Sequence, residues 1–483
     1  MGIISGVHEK IAAAFTINRG LPRYLEDVVT GRRRVRVVVL GSRNCGKTVL
    51  LTSLACHLLN HSSRDFNLDG WDVFRDEDYR PPKKRDGDPA TFPYAEYREG
   101  FAKAIPEFPQ KTNEEISVMR LPLIFRKEGF RDRKILLELM DLPGERVADL
   151  VMAQRDYRGW CDWMQQNLAG EYNSVRSYRD YLERIETAEG SDALFAEYKR
   201  YLAGEYRQYS PWIVPSIVKL TATTGTDFLE EIEGRPLGLD AESQFVPLPM
   251  EAFDSHHALN RYVKGFERAY RKYRARIVDP ISGWLSEADH LVYLVNVLGI
   301  LKEGVVSYDA EQAFGSAVIG MFRRRRTRTV LGPVVDYLSG LVKTKIKDAY
   351  LVATKADIAR GDEGRDAMCN LAEQLLGKAV RGLGLGKSGF AICACSAVNT
   401  IRLLADEADS VKARQQVESV DETEYKQLDV PEEWPDGAKW AGEIESGRYW
   451  FEDTFPLFDA RRNAVPGQIG LDDLTKSILA DVL

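Results

Sequence analysis

Gly41-Ser42-Arg43-Asn44-Cys45-Gly46-Lys47-Thr48 is the stretch that decides the fold. It reads G-x-x-x-x-G-K-[ST]. The β-branched run Val35-Arg36-Val37-Val38-Val39-Leu40 stands in front of it and an amphipathic run from Val49 to Leu59 behind. Strand, glycine-rich loop and helix in that order predict a phosphate cradle. Successive backbone N–H groups and a helix N-terminus converge on one concavity, where aligned peptide dipoles favour an anion. The cradle is assigned to Gly41, Ser42, Asn44, Cys45, Gly46, Lys47, Thr48 and Val49. Gly41 and Gly46 let the backbone turn without a Cβ clash, Lys47 reaches the phosphate oxygens, and Thr48 offers a hydroxyl to magnesium.

Outward from the loop, Asn60 to Lys111 loses periodicity, and Pro81 to Pro89 reads as irregular chain. Ile116–Phe125 and Lys134–Met140 then predict two adjacent strands joined as a hairpin around Glu128-Gly129. The second ends in Asp141-Leu142-Pro143-Gly144-Glu145. After a phosphate loop, a D-x-x-G at the carboxyl end of an apolar strand predicts a sensor, with Asp141 near the metal and the Gly144 N–H near the terminal phosphate. From Val151 to Asp279 the texture becomes helical and aromatic. Leu194, Phe195, Tyr198, Tyr201 and Leu202, and later Leu259, Tyr262, Val263, Phe266, Tyr270, Tyr273 and Ile277, recur at helical spacing and are read as a helical core. Thr221 to Ser255 between them is read as loop.

Apolar runs resume at His290–Leu298 and Ala349–Asp357, so strands alternating with helices predict a parallel sheet covered on both faces. The second run closes in Thr354-Lys355-Ala356-Asp357, which resembles the N-K-x-D base-recognition element of GTPases with Thr in the usual Asn position. A carboxylate at Asp357 accepts two hydrogen bonds from guanine N1 and N2, which adenine cannot supply, while the Lys355 stem lies along the ring. One strand later Cys393-Ala394-Cys395-Ser396-Ala397 resembles the S-A-x element whose backbone N–H meets the base carbonyl, so Ser396, Ala397 and Val398 join the expected site. Residues 404–440 turn acidic and polar and are read as a loose excursion. Arg448–Phe451 suggests a short edge strand, and Leu471–Leu483 a closing helix.

The 483 residues, 44% of them hydrophobic, are ample for a packed core. A net charge of -7 argues against a protein that coats nucleic acid, and no clear nucleic-acid site is read. The six cysteines show no C-x-x-C spacing, and Cys45 lies inside the phosphate loop, so a reducing compartment fits. No run of about eighteen apolar residues predicts a membrane span. A cytoplasmic protein is expected. The weakly amphipathic Ile3–Phe15 segment leaves peripheral membrane contact open, and Arg323–Arg328 is a solvated surface segment or a grip on anionic headgroups.

With these four motifs in order, a long helical insert after D-L-P-G-E, and the Thr-Lys-Ala-Asp form, the chain resembles the YcjX family of bacterial stress-linked P-loop GTPases over nearly its whole length. The resemblance implies an α/β fold: a Ras-like P-loop NTPase domain with a mostly parallel sheet, plus an inserted all-helical domain. It also implies GTP or GDP with magnesium, and a link to envelope stress at the inner membrane. The expected divisions are a helical lead-in (1–32), the nucleotide-binding domain in two parts (33–150 and 285–483), and the helical insert (151–284), the surface for an unidentified protein partner. The sequence departs from the family at Asn44, where a basic residue can stand. Potassium-activated GTPases carry Asn there, which raises potassium dependence.

The expected reaction is hydrolysis of the γ-phosphoryl of GTP by in-line water, which demands positioning and charge neutralisation. Lys47 and the loop amides neutralise; Thr48 and Asp141 hold the metal, completed by Thr112 or, behind it, Thr91. Glu145 stands where Ras-like proteins carry a water-orienting Gln, or else it caps the following helix. A carboxylate there repels the developing charge and slows turnover. Arg43 or Arg146 is the candidate internal arginine finger. Two other readings stay open: a nucleotide-binding docking module with negligible hydrolysis, and an ATPase or P-loop kinase, which Asp357 argues against.

Overall fold

The computed structural model describes residues 31–42, 45–60, 66–81, 89–101, 116–142, 144–153, 155–168, 173–208, 236–285, 287–323, 346–359, 361–385, 389–398, 401–403, 411–414, 425–427, 434–435 and 467–483. The chain enters through Arg33–Gly41 (β1), whose alternate side chains face opposite ways. Val38 and Leu40 enter one apolar layer, while Val35, Val37 and Val39 enter another. A strand apolar on both faces is stable only between two layers, and β1 is buried from Val35 onward.

Helix α1 (Lys47–Leu59) packs on the second layer through Leu50, Leu51, Leu54 and Leu58. The chain then builds β2 (Asp72–Arg75), β3 (Ala90–Thr91) and α2 (Tyr94–Phe101). The expected hairpin follows as β4 (Ser117–Arg126) and β5 (Arg133–Asp141), antiparallel in register from Ser117↔Asp141 to Phe125↔Arg133. Its turn is closed by the Phe130 N–H donating to the Lys127 carbonyl at 3.0 Å, with Gly129 at φ 81°. Beyond β5 come α3 (Tyr157–Leu168), α4 (Asn173–Glu186), α5 (Ser191–Gln208) and α6 (Asn260–Tyr273), the last carried through a π-helical turn, Arg274–Val278, into Asp279–Leu285. The sheet resumes with β6 (His290–Val295), α7 (Val297–Glu303), α8 (Val305–Gly320), β7 (Asp348–Thr354), α9 (Gly361–Arg381) and β8 (Phe390–Cys395).

The eight-stranded sheet runs β2-β4-β5-β1-β6-β7-β8, with β3 beside β4. Five neighbours in that row, β5, β1, β6, β7 and β8, are parallel, and β4 is antiparallel to β5. The fold is therefore α/β with a mostly parallel mixed sheet. Leu291, Tyr293 and Val295 of β6 join the first layer and Val292 and Leu294 the second, repeating the alternation of β1.

The aromatic stripes are core. Tyr178, Tyr181, Tyr198, Tyr201, Phe266, Tyr270 and Tyr273 are buried, in one apolar cluster that continues onto the first face of the sheet. Within the stretch read as loop, Phe245, Val246 and Leu248 are fully buried too. The Val246 and Pro247 carbonyls accept from the hydroxyls of Tyr157 and Tyr181 at 2.7 and 2.6 Å, which satisfies an extended segment that has no ladder of its own.

Two expectations need correcting. The excursion at 404–440 is not wholly irregular: β9 (Ile401–Leu403), just before it, pairs with β10 (Val411–Arg414), and within it β10 pairs with β11 (Tyr425–Gln427), as a small antiparallel sheet. Val411-Lys412-Ala413-Arg414 alternates small or apolar with basic residues, a pattern too short to outweigh the acidic composition around it. The closing helix, α10, spans Leu471–Leu479 and stops short of the chain end. The lead-in 1–30 and the edge strand at Arg448–Phe451 lie outside the described residues, as does the cluster from Arg324 to Arg328.

On the first face, near the start of β1, the pleat brings charges together instead of apolar groups. Arg36 lies opposite Glu138, and so does Arg120. Arg36 Nε donates to Glu138 Oε2 at 2.6 Å, Arg36 Nη1 to Glu287 at 2.5 Å, and Arg120 Nε to Glu138 Oε1 at 3.1 Å. Burial alone would raise the Glu138 carboxyl pKa, but the guanidiniums of Arg36, Arg34 and Arg120 outweigh it and hold it below the usual range. Glu138→Ala should cost about 3–5 kcal/mol in urea unfolding, because it strands buried guanidinium charge. Glu138 stabilises the fold fully above its unfolded pKa of about 4.3 and loses that contribution as pH falls through its lower folded value. Glu138→Gln should accordingly flatten the acid limb of the stability curve.

Candidate functional site

Every expected motif leaves the sheet from its carboxyl edge. Register sets Asp141 of β5 beside Val39 of β1, Gly41 of β1 beside Leu294 of β6, and Thr354 of β7 beside Cys395 of β8. In an open α/β sheet that edge is where ligands bind, because strands end there and helix N-termini point at it.

Gly41 ends β1 at φ 146°, and a Cβ built on it would lie 2.5 Å from the Leu294 carbonyl oxygen and 2.7 Å from Cys45 Sγ. Only glycine lets the loop turn this close to β6. Gly46, left-handed at φ 90°, is the N-cap of α1. Lys47 Nζ donates to the carbonyls of Gly41 and Ser42 at 2.9 and 2.8 Å and lies 3.7 Å from Cys45 Sγ, so the ammonium braces both sides of the loop. Cys45 is fully buried, and burial pushes its thiol pKa up against the opposing pull of Lys47. A protonated, enclosed thiol is packing in this loop and not a nucleophile. Beneath it, buried Tyr293 donates to Glu311 of α8 at 3.0 Å. Thr48 and Val49 are half-buried in the first turn of α1. Arg43, one of the two arginine-finger candidates, and Asn44, with the potassium expectation, lie outside the described residues, as does Thr112. Thr91 is in β3.

Asp141 is buried at the end of β5, followed by buried Leu142. Gly144–Val147 forms a helical turn that passes into a 3-10 turn, Ala148–Met152. Of Glu145 the backbone alone is described, within that turn. Arg146 Nη1 lies 3.8 Å from the carboxylate of fully buried Asp149, which also accepts from the Tyr273 hydroxyl at 3.0 Å. The Tyr270 hydroxyl sits 2.9 Å from the Arg155 carbonyl and 3.3 Å from that of Met152, and Arg274 donates to the Arg155 carbonyl at 3.0 Å. The loop after β5 is thus gripped by α6 and its π-helical turn. The sequence pattern places Tyr273 only in a helical core stripe and assigns Asp149 no role; the fold joins the two across 124 positions.

At the far end, the Thr354 hydroxyl donates to the Val295 carbonyl at 3.3 Å, tying β7 to β6. Lys355 is exposed and held left-handed at φ 63°, which is rare for a side chain of that length and typical of constrained sites. Asp357 is half-buried, and Ser396 Oγ lies 2.8 Å from its Oδ1 and 2.9 Å from the Val398 carbonyl. The Ser53 hydroxyl of α1 donates to the Ala397 carbonyl, linking the helix of the phosphate loop to the Ser396-Ala397-Val398 turn. The structure brings the described members of the expected site to one rim.

The donor set at the phosphate end is oxygen only, a threonine hydroxyl and a carboxylate, which suits magnesium and no softer metal. Among the described residues no group of three or more His, Cys, Asp or Glu forms a cation cage. Magnesium that shares its shell with phosphates and water needs only one or two protein oxygens. All six cysteines are free. No helix among the described residues is long and apolar enough to cross a membrane.

Comparison with known proteins adds three findings. The pattern of the YcjX-like family, DUF463, matches residues 35–483. The chain is 27% identical over 375 residues to the Ras-like GTPase YcjX of Shewanella oneidensis, covering 72% of this chain and 73% of that protein. It is 32% identical over 165 residues to the Ras-like GTPase YcjX of Escherichia coli, covering 32% of this chain and 33% of that protein.

The two loop glycines are constrained differently, which a pair of variants should resolve. Gly46 has nothing within 4 Å of a Cβ, so Gly46→Ala should cost only the left-handed backbone penalty, about 1–2 kcal/mol. Gly41→Ala adds a collision with β6 backbone and should destabilise by more than about 2 kcal/mol, read as the lower melting temperature of the two.

Proposed function

The chain belongs to the YcjX-like family, and we propose from that premise that it binds guanine nucleotide and hydrolyses GTP to GDP and phosphate as a slow, nucleotide-controlled switch. One observation carries the reading. The loops after β1, β5, β7 and β8 open on one edge of the parallel part of one sheet, a phosphate-type loop near its middle and a base-type aspartate two strands away. The relatives' name, Ras-like GTPase, supports it.

Lys47, whose ammonium already donates to two loop carbonyls, turns the same protons on phosphate oxygens, and the N–H groups opening α1 add their dipole. Thr48 and Asp141 would hold magnesium, which when bound neutralises phosphate charge. The Gly144 N–H reads the terminal phosphate, and Glu145 orients the attacking water at a cost in rate. Asp357 accepts the guanine N1 and N2 protons, with Lys355 along the ring. Of the arginine-finger candidates, Arg146 lies toward Asp149, so it serves the loop's own geometry in this reading. Since the Gly144–Met152 turns hang from Tyr270 and Tyr273, a change at the terminal phosphate is felt in the helical segment 151–284, the proposed docking unit for a protein partner.

Lys47→Ala should weaken GTP binding by about a hundredfold or more in calorimetry, and retained affinity would remove the phosphate-loop assignment. Bound labelled GTP should be displaced by excess GDP and not by excess ATP, and displacement by ATP would overturn the guanine reading. Phosphate release that is measurable in the wild type and altered in Glu145→Ala supports hydrolysis; none in either makes the protein a binding module.

A further inference from the structure

The Ser396 turn is fastened by a segment that returns 73 positions later. The Ser396 N–H donates to the Ile469 carbonyl and the Ile469 N–H to the Ser396 carbonyl, each at 2.9 Å, an isolated antiparallel bridge. Both backbone polar groups of Ser396 are therefore spent on Ile469. The next residue, Gly470, is left-handed at φ 68°, and a Cβ on it would lie 2.7 Å from the Ala394 carbonyl oxygen of β8. Gly470 is also the N-cap of α10, where the Gln468 side chain accepts the Leu471 N–H at 2.7 Å. The helix is anchored in turn: Leu471, Leu474, Ile478 and Leu479 are buried in the second layer, and the Tyr350 hydroxyl of β7 donates to the Ser477 carbonyl at 2.8 Å.

We infer that Ile469 and Gly470 form a positioning clamp for base selection: they fix Ser396, and Ser396 fixes the carboxylate of Asp357. The inference rests on the proposed guanine reading and assigns that site's selectivity to a segment outside its motifs. The physical chain is short. Ser396 is 2% exposed, its hydroxyl lies 2.8 Å from Asp357, and its backbone cannot drift without breaking both bonds to Ile469. A carboxylate that must meet two guanine protons at once discriminates only while its orientation is held, and displacement on the order of 1 Å forfeits up to about a hundredfold. The phosphate loop meets this turn through one bond, Ser53 to Ala397, and is otherwise held by Lys47 on the Gly41 and Ser42 carbonyls, so it should feel the clamp far less than Asp357 does.

The test is Gly470→Ala in the full chain, with GDP, ADP and inorganic tripolyphosphate as calorimetric probes in magnesium buffer. GDP affinity should fall about tenfold or more, equivalent to about 1.4 kcal/mol, with ADP and tripolyphosphate within about twofold of wild type. GDP affinity unchanged in the variant, or GDP and tripolyphosphate falling together, overturns the clamp. A wild type that binds GDP and ADP equally overturns the guanine reading instead, and the clamp's assignment with it. Should Gly470→Ala not fold, hydrogen exchange on the wild type decides. Coupling is reciprocal, so GDP should slow exchange of the Ser396 and Ile469 amides more than tripolyphosphate does. Equal protection by the two ligands overturns the clamp.

Discussion

The constraint on which this molecule depends is the enclosure of β1. The strand pairs with β5 along Arg33–Val39 and with β6 along Val37–Gly41, and it is buried from Val35 onward, so its middle is committed on both edges and both faces. A chain leaving such a strand must turn at once, and it must turn against β6, where the Leu294 carbonyl comes too close for any Cβ. Glycine at position 41 follows from that contact. Gly46 then caps the helix that follows. The proposed phosphate cradle sits where a buried parallel strand is made to end.

Parallel pairing explains why distant segments share one rim. Strands that run the same way end on the same side, so the loops after β5, β7 and β8 arrive beside the phosphate loop with no contact needed to recruit them. Side-chain bonds then refine the arrangement. Ser53 reaches from α1 to Ala397, Thr354 reaches from β7 to β6, and Ser396 faces Asp357. Each is a modest bond of about 1 kcal/mol, but each joins loops that would otherwise sample independent positions. These bonds tie neighbouring loops of the rim to one another.

The same economy governs charge. At the mouth, Lys47 keeps its protons on carbonyls, which accept without neutralising it, so the positive charge remains for an anion. On the sheet face near the start of β1, Arg36 and Glu138 cancel each other in a site closed to solvent, where an uncompensated ion would be costly. On the loop after β5, Asp149 takes both Arg146 and Tyr273, binding the loop to the aromatic helices. Ion pairing serves structure at the base of β1 and beneath the loop after β5.

What the sequence determined by itself was local and periodic. The Val35–Leu40 run, the glycines at 41 and 46, the β4–β5 hairpin around Gly129 and the helical stripes through Tyr198 and Tyr270 were all legible, because each is a pattern within one or two turns of chain whose physics needs no distant partner. The order of the motifs along alternating strands and helices also carried the sheet's parallel sense. The tertiary structure alone decided which residues brace the site: the collision that Gly41 avoids at Leu294, Asp149 beneath Tyr273, Ser53 under Ala397, and Ile469 paired with Ser396. It also decided that a weakly patterned stretch such as Val411–Arg414 pairs as a strand. These depend on approach between segments tens to hundreds of positions apart. No local preference encodes such an approach, because its energy exists only once the sheet has closed and set the distances.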